Sequence, residues 1–171
     1  MMICELSTEH FDSALELCQT LKNHDQHPCS FWGYSKETLA KAISNREQIT
    51  LVALEKKTIV GLGSLNKGGH FQNHWASISL AVHPSYRKNG IALELAHALE
   101  KYIQNLEIEF IKALILENNV CSRRFFEKLG YEHKATLFQD FKIDSHGKLN
   151  DCVYYKFFSL VVQPNPSQGC F

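Results

Sequence analysis

Arg87, Gly90 and Ala92 stand in the stretch LAVHPSYRKNGIALELAHALEKY, with the spacing of a phosphate cradle. Alternating apolar residues run out at Val82, Pro84 ends the strand, and an amphipathic helix pattern begins after Gly90. A helix start leaves several N–H groups without partners and carries the positive end of the aligned peptide dipoles. A glycine beside it lets the backbone approach phosphate oxygens closely. Arg87 and Lys88 add positive charge, Asn89 completes the turn, and Ile91 opens the helix. Ala92 is small and leaves the approach clear. An isolated R-x-x-G-x-A reads more readily as an ordinary solvated turn, because short motifs have many false positives. Here the strand before it and the helix after it favour the anion site.

Other groups with chemical potential carry weaker patterns. GLGSLNKGG, from Gly61 to Gly69, is rich in glycine but does not match G-x-x-x-x-G-K-[ST], and reads as a strand end and turn. The 9 histidines include no helical H-x-x-x-H or H-x-x-E-H, so no metal is expected. The 6 cysteines form no C-x-x-C pair. Cys29 and Cys121 have no neighbouring feature that marks a nucleophile. The amino-terminal MMICELSTEHFDSALEL carries acids where a signal peptide needs an apolar run, so free thiols in a reducing cytoplasm are expected.

The elements that must position the cradle follow from periodicity. Ile3–Leu6 reads as a strand, and Phe11, Leu15, Cys18 and Leu21 as a helix ending near Lys22. HDQHPCSFWGY, residues 24–34, is a loop, and Ser35 caps a second helix. ITLVALEKK and TIVGLGSLNKGG pair as a hairpin across Glu55–Lys57. HWASISLAV places Ala76, Ile78, Leu80 and Val82 on one strand face. Ile91, Leu95, Leu99, Tyr102 and Leu106 stripe a helix. FIKALIL is a buried strand, VCSRRFFEKLG a short helix stopped by Gly130, and two strands follow around a turn at Asp144–Lys148. The order implies an α/β layer with at least one parallel pair and a right-handed crossover.

The 171 residues suit one domain, expected over 1–160 with a flexible tail at 161–171. Lys plus Arg and Asp plus Glu number 18 each, which provides no long-range field for nucleic acid or an anionic membrane.

Two motifs then carry a resemblance. V-H-P-x-x-R-x-x-G-I-A spans Val82–Ala92, and N-x-x-S-x-x-F-F-E-K-L-G-Y spans Asn119–Tyr131. Together they make the chain, from about Ile3 to Phe158, similar to the GNAT superfamily of N-acyltransferases. The resemblance implies a mixed, mostly antiparallel central sheet of about seven strands flanked by about four helices, with splayed fourth and fifth strands. It implies acetyl-CoA as cosubstrate and no metal. Arg87, Lys88, Asn89, Gly90, Ile91 and Ala92 would hold the pyrophosphate. Leu80, Ala81 and Val82 would pair with the pantetheine arm, which Asn119 and Ser122 would meet from the other side. The Val82 N–H would stabilise the oxyanion.

The chain departs from the family at two positions. Ala76 stands where many members have Glu, and Phe126 where they have Tyr. His74 and Glu117 are the candidate bases in place of the first. Phe126 is expected near the CoA sulfur without donating a proton, and Tyr131, Tyr154 and Tyr155 are candidate substitutes. Loop 24–34, with Phe31, Trp32 and Tyr34, would form an aromatic wall for the acceptor. The expected acceptor is a primary amine on a small molecule. Acetylation of a protein or peptide, and a CoA-binding module with little catalysis, are the alternatives. A homodimer is the assembly entertained, with no nucleic-acid or membrane partner.

Overall fold

A computed structural model describes residues 1–143 and 147–158. Along the chain run β1 (Met2–Glu5), α1 (Phe11–His24), α2 (Lys36–Ser44), β2 (Gln48–Glu55), β3 (Thr58–Lys67) and β4 (Trp75–Val82). There follow α3 (Ile91–Glu100), β5 (Phe110–Leu116), α4 (Val120–Lys128), β6 (Glu132–Ile143) and β7 (Gly147–Phe157). The strands form one 7-stranded sheet in the order β1-β2-β3-β4-β5-β7-β6. β4 and β5 run parallel, and every other neighbouring pair is antiparallel. This is the mixed sheet with four α-helices that the resemblance implies. The turn expected at Asp144–Lys148 lies partly, and the tail at 161–171 wholly, outside the described residues. No helix among the described residues is long and apolar enough to cross a membrane.

Alternation along the strands divides the apolar side chains between two cores. On one face α1 and α2 pack Leu17, Leu21 and Leu39 onto Val52, Leu54, Ile59 and Leu62. On the other, α3 and α4 set Leu95, Leu99 and Phe126 against Ile78, Ile111, Ile115 and Tyr154. The glycines of GLGSLNKGG explain how α3 comes so close. Gly61 and Gly63 lie within β3, whereas Gly68 and Gly69 follow its end at Lys67. A Cβ on Gly61 would stand 2.9 Å from Ile91 Cγ2 and 3.0 Å from Leu95 Cδ1. One on Gly63 would meet Leu80 and Leu99, each at 3.1 Å. Gly61→Val therefore overpacks the interface beneath the cradle. The expected loss is about 1–3 kcal/mol in urea unfolding, and a variant as stable as the parent would refute this account of the packing.

α3 is shorter than its stripe. It ends at Glu100, and turns carry the chain onward to Glu107, whose φ is 55. The Ile108 N–H donates to Ile103 O at 3.1 Å. Leaving the helix lets Ile103 and Ile108 both bury, whereas Tyr102 and Leu106 stay half-buried. The Tyr102 hydroxyl donates to Glu5 at 2.7 Å and ties this turn to β1.

The feature that matters for chemistry is where two strands part. β4 pairs with β3 as far as Val82, and β5 pairs with β7 as far as Leu116. Between β4 and β5 the register covers only Trp75↔Phe110, Ala76↔Ile111 and Ser77↔Lys112. Beyond Ser77 the two strands diverge, and a gap opens between their carboxyl ends.

Candidate functional site

The gap is closed above by the start of α3. Gly90 is its N-cap, left-handed at φ 81, and no side chain caps the helix. Lys88 is also left-handed, at φ 64. No described residue accepts from the backbone amides of Gly90, Ile91, Ala92 or Leu93. Alternating backbone hands at a helix start make a concave row of donors suited to anions. An added Cβ on Gly90 would meet nothing within 4 Å, so the space in front of the row is open. Arg87, Lys88, Asn89, Gly90, Ile91 and Ala92 thus share one turn.

β4 supplies the next part. The His83 amide donates to Val60 O at 2.8 Å, across to β3. Amides alternate sides along a strand, so the Val82 N–H and C=O point away from β3, toward the gap. Arg87 Nε donates to that carbonyl at 3.1 Å, which leaves the Val82 N–H as the donor there. Leu80 is half-buried on the α3 face, and Ala81 is buried on the α1 face.

α4 frames the other side. It starts at the end of β5, where the Asn119 amide donates to Leu116 O at 2.8 Å. Asn119 Oδ1 caps the helix by accepting from the Ser122 N–H at 3.2 Å. Both residues of the second motif therefore stand beside the mouth of the gap. Phe126 lies in the core, 6% exposed, edge-on to Phe125 at 5.4 Å and to Tyr131 at 5.0 Å.

The profile of the Acetyltransferase (GNAT) family matches residues 11–131, well over half of the chain. The chain belongs to the GNAT family of acetyltransferases. Among its relatives is an acetyltransferase of Yersinia pestis (strain Pestoides F), 28% identical over 106 residues, which are 62% of this chain and 73% of that protein. Solved structures share its fold at low identity. The ribosomal-protein-alanine N-acetyltransferase from Brucella melitensis superposes with a TM-score of 0.81 at 19% identity, covering 92% of this chain and 100% of that one. The Salmonella typhimurium protein yncA, solved with its cofactor acetyl-CoA, superposes with a TM-score of 0.80 at 17% identity, covering 96% and 98%.

In this GNAT acetyltransferase the arginine of the first motif is held on the protein side. The Arg87 guanidinium donates to both oxygens of Asp25, at 2.5 and 2.7 Å. Asp25 caps the carboxyl end of α1 and starts the aromatic loop. One side chain thus joins the end of β4, the turn before α3 and the aromatic loop. Asp25 was visible in the sequence as the loop's only acid, but nothing local paired it with Arg87, 62 residues away. The loop itself is packed: Phe31 is fully buried and meets Tyr34 edge-on at 5.1 Å. Burial pushes the Cys29 thiol up to about 11, and Cys18 beneath it likewise. All five described cysteines are free.

Neither candidate base reaches the gap. His74 precedes β4, with its ring edge-on to Phe110 at 5.6 Å. Leu80 lies six residue steps further along the strand, roughly 20 Å at ~3.3 Å each. Glu117 turns the opposite way: its carboxylate accepts from Asn150 Nδ2 at 2.9 Å, at the start of β7's pairing with β5. The tyrosines are engaged elsewhere too. Tyr154 OH accepts from Arg123 Nε at 2.9 Å and donates to Glu127 at 3.0 Å. Tyr131 OH is buried with no described partner, and burial raises its pKa. Tyr155 packs against Phe110 at 4.7 Å, at the far end of β5 from the gap. No group of three or more His, Cys, Asp or Glu suited to a metal occurs among the described residues.

Arg87→Ala tests the bridging role. The pair is bidentate but 46% exposed on the arginine side, so its loss costs only about 1 kcal/mol. Acetyl-CoA affinity should fall less than about tenfold, because the backbone donors remain. Amide exchange over 25–34 should quicken about three- to tenfold by mass spectrometry. Unchanged exchange would dissolve the link.

Proposed function

We propose that this enzyme transfers the acetyl group of acetyl-CoA to a primary amine on a small molecule, by direct attack in the β4–β5 gap. The single observation that carries this reading is the run of free amides from Gly90 to Leu93 standing over the divergence of β4 from β5. The open space at Gly90 fits a diphosphate, since any side chain there would take up its volume. The cosubstrate supplies the activated thioester. Leu80, Ala81 and Val82 lie along the edge of β4 that an extended pantetheine arm would pair with, and Asn119 and Ser122 face it across the gap.

The rest is done by the chain. The Val82 N–H donates to the thioester oxygen as negative charge builds there. Amines carry their proton with a pKa near ~10.4, so that proton must leave before attack. With Ala76 in β4 and both His74 and Glu117 turned away, water removes it. The leaving thiol, with a pKa of about 8.5, departs without an acid more easily than an alkoxide would. Phe126 in its core position is consistent with this. Arg87 has taken up Asp25, which leaves the loop without a free carboxylate for a polycation and favours amines with an apolar or aromatic body.

The test is thiol release from acetyl-CoA against a panel of amines, with spermidine and an alanyl peptide included. Turnover fastest on a small aromatic or aliphatic amine supports the reading. A clear preference for the peptide would make it a protein N-acetyltransferase. Tight CoA binding without turnover on any amine would leave a binding module.

A further inference from the structure

α4 carries two residues to the mouth of the gap, yet little of the helix is buried. Of Val120–Lys128 only Phe126 lies in the core, at 6% exposed. Ser122 stands four residues before that anchor and Asn119 seven, roughly 6 and 10 Å along a helix at ~1.5 Å per residue. A small tilt about Phe126 would therefore carry both away from β4. Asn119 Oδ1 is taken by the Ser122 N–H at 3.2 Å. No described residue accepts from Asn119 Nδ2 or from the Ser122 hydroxyl, so both are free to meet a ligand in the gap.

Arg123 is what holds this half of the helix. It stands three residues before Phe126, on the same inward side, and is half-buried. Its guanidinium reaches two neighbours. Nε donates to the Tyr154 hydroxyl on β7 at 2.9 Å, and Nη1 donates to the Glu117 carbonyl after β5 at 3.1 Å. Tyr154 is fully buried, in the core that also contains Phe126. Its hydroxyl donates onward to Glu127 at 3.0 Å, one turn further along α4. The hydroxyl is thus satisfied in both roles, by two residues of one helix.

The other contact is equally firm. The Glu117 amide donates to Asn150 O and its carboxylate accepts from Asn150 Nδ2, each at 2.9 Å. The Asn119 amide closes the turn onto Leu116 O at 2.8 Å. One planar guanidinium therefore sets the start of α4 against both β5 and β7. A rigid fork of donors suits that task better than a single ammonium. Polar contacts at a partly exposed helix add little to stability, so their effect is on where the helix start lies.

We propose that Arg123 is a positioning residue for the cosubstrate. Through Tyr154 and the Glu117 carbonyl it holds Asn119 and Ser122 at the distance from β4 at which they meet the pantetheine arm. Arg123 itself does not touch the arm. The role rests on the reading of the gap as the acetyl-CoA site.

The experiment separates the arm from the diphosphate, by calorimetry on the full chain. The probes are acetyl-CoA and 3′-phospho-ADP, which is CoA without its pantetheine arm. The ratio of their Kd values reads what the arm contributes. Arg123→Gln should weaken acetyl-CoA about 5- to 30-fold, the worth of one or two hydrogen bonds to the arm. It should leave 3′-phospho-ADP within about twofold. Arg123→Lys reaches one acceptor and not both, and should fall between the parent and Arg123→Gln. Tyr154→Phe keeps the core filled and removes one of the two contacts, so it should shift the ratio the same way by a smaller factor. It decides the matter if Arg123→Gln does not fold. An unchanged ratio overturns the assignment, whether neither ligand weakens or both weaken alike. The parent's own preference for acetyl-CoA would then leave the reading of the gap standing. A parent that binds both probes equally brings down that reading, and this inference with it.

Discussion

Gly90→Val raises the Kd for acetyl-CoA by about 100-fold or more, while the protein still folds. The left-handed φ of 81 at this position is one that L-residues adopt only at a cost. For an ordinary side chain that cost is about 1–2 kcal/mol, and more for a β-branched one. No neighbour stands within 4 Å of the added Cβ, so strain and not a clash is the folding penalty. A domain of this size should lose only about 2–4 °C of Tm per kcal/mol. Binding suffers in two further ways. The side chain fills the space the phosphates would take, and relief of the strain turns the amides of Gly90 and Ile91 out of the row. Each hydrogen bond to a charged oxygen is worth about 1.5–3 kcal/mol, so the loss of two accounts for the stated factor. Gly90→Ala keeps more of the geometry and should cost about tenfold. Calorimetry with acetyl-CoA on folded protein decides it. An unchanged Kd for Gly90→Val would remove the cradle, and the proposed function with it.

The turn and helix start around Gly90 were legible in sequence because their determinants are local. A strand end, Pro84, Gly90 and an amphipathic run lie within one short stretch, and each acts on its neighbours. The sheet was legible for the same reason, since alternation in β2, β3 and β4 reads directly as faces. What failed was long-range. His74 shares the face of Ala76, but the pattern of one strand does not say which end of it opens. That is set by β5, whose register with β4 stops at Ser77↔Lys112. Glu117 stands at the right end of β5 yet is drawn aside by Asn150, 33 residues later. Asp25 and Arg87 are drawn together in the same way. The early end of α3 depends on Ile103 and Ile108 competing for one core, which the stripe through Tyr102 and Leu106 conceals.

Phe126→Ala should be the most destabilising single change of those considered, at about 3–5 kcal/mol in chemical denaturation. The ring is 6% exposed, and it bridges α4 to Ile115, Tyr131 and Tyr154 in the larger core. A domain's whole stability is about 5–15 kcal/mol, so the variant stands near the edge of folding. Phe126→Tyr separates packing from chemistry. It keeps the ring and adds one hydroxyl. Tyr131, whose ring meets Phe126 at 5.0 Å, already carries a buried hydroxyl without a described partner. A second hydroxyl in that core costs about 1–3 kcal/mol unless it finds an acceptor. If it stays in the core, stability should fall by that amount and kcat should hold within about threefold, because the thiol leaves without help. If it reaches the gap, stability should hold and kcat should rise toward the ~10²-fold that a positioned acid provides. The core placement predicts the first result. A rise in kcat at unchanged stability would show that the ring of Phe126 borders the departing sulfur, and that departure of the thiolate limits the rate in the parent enzyme.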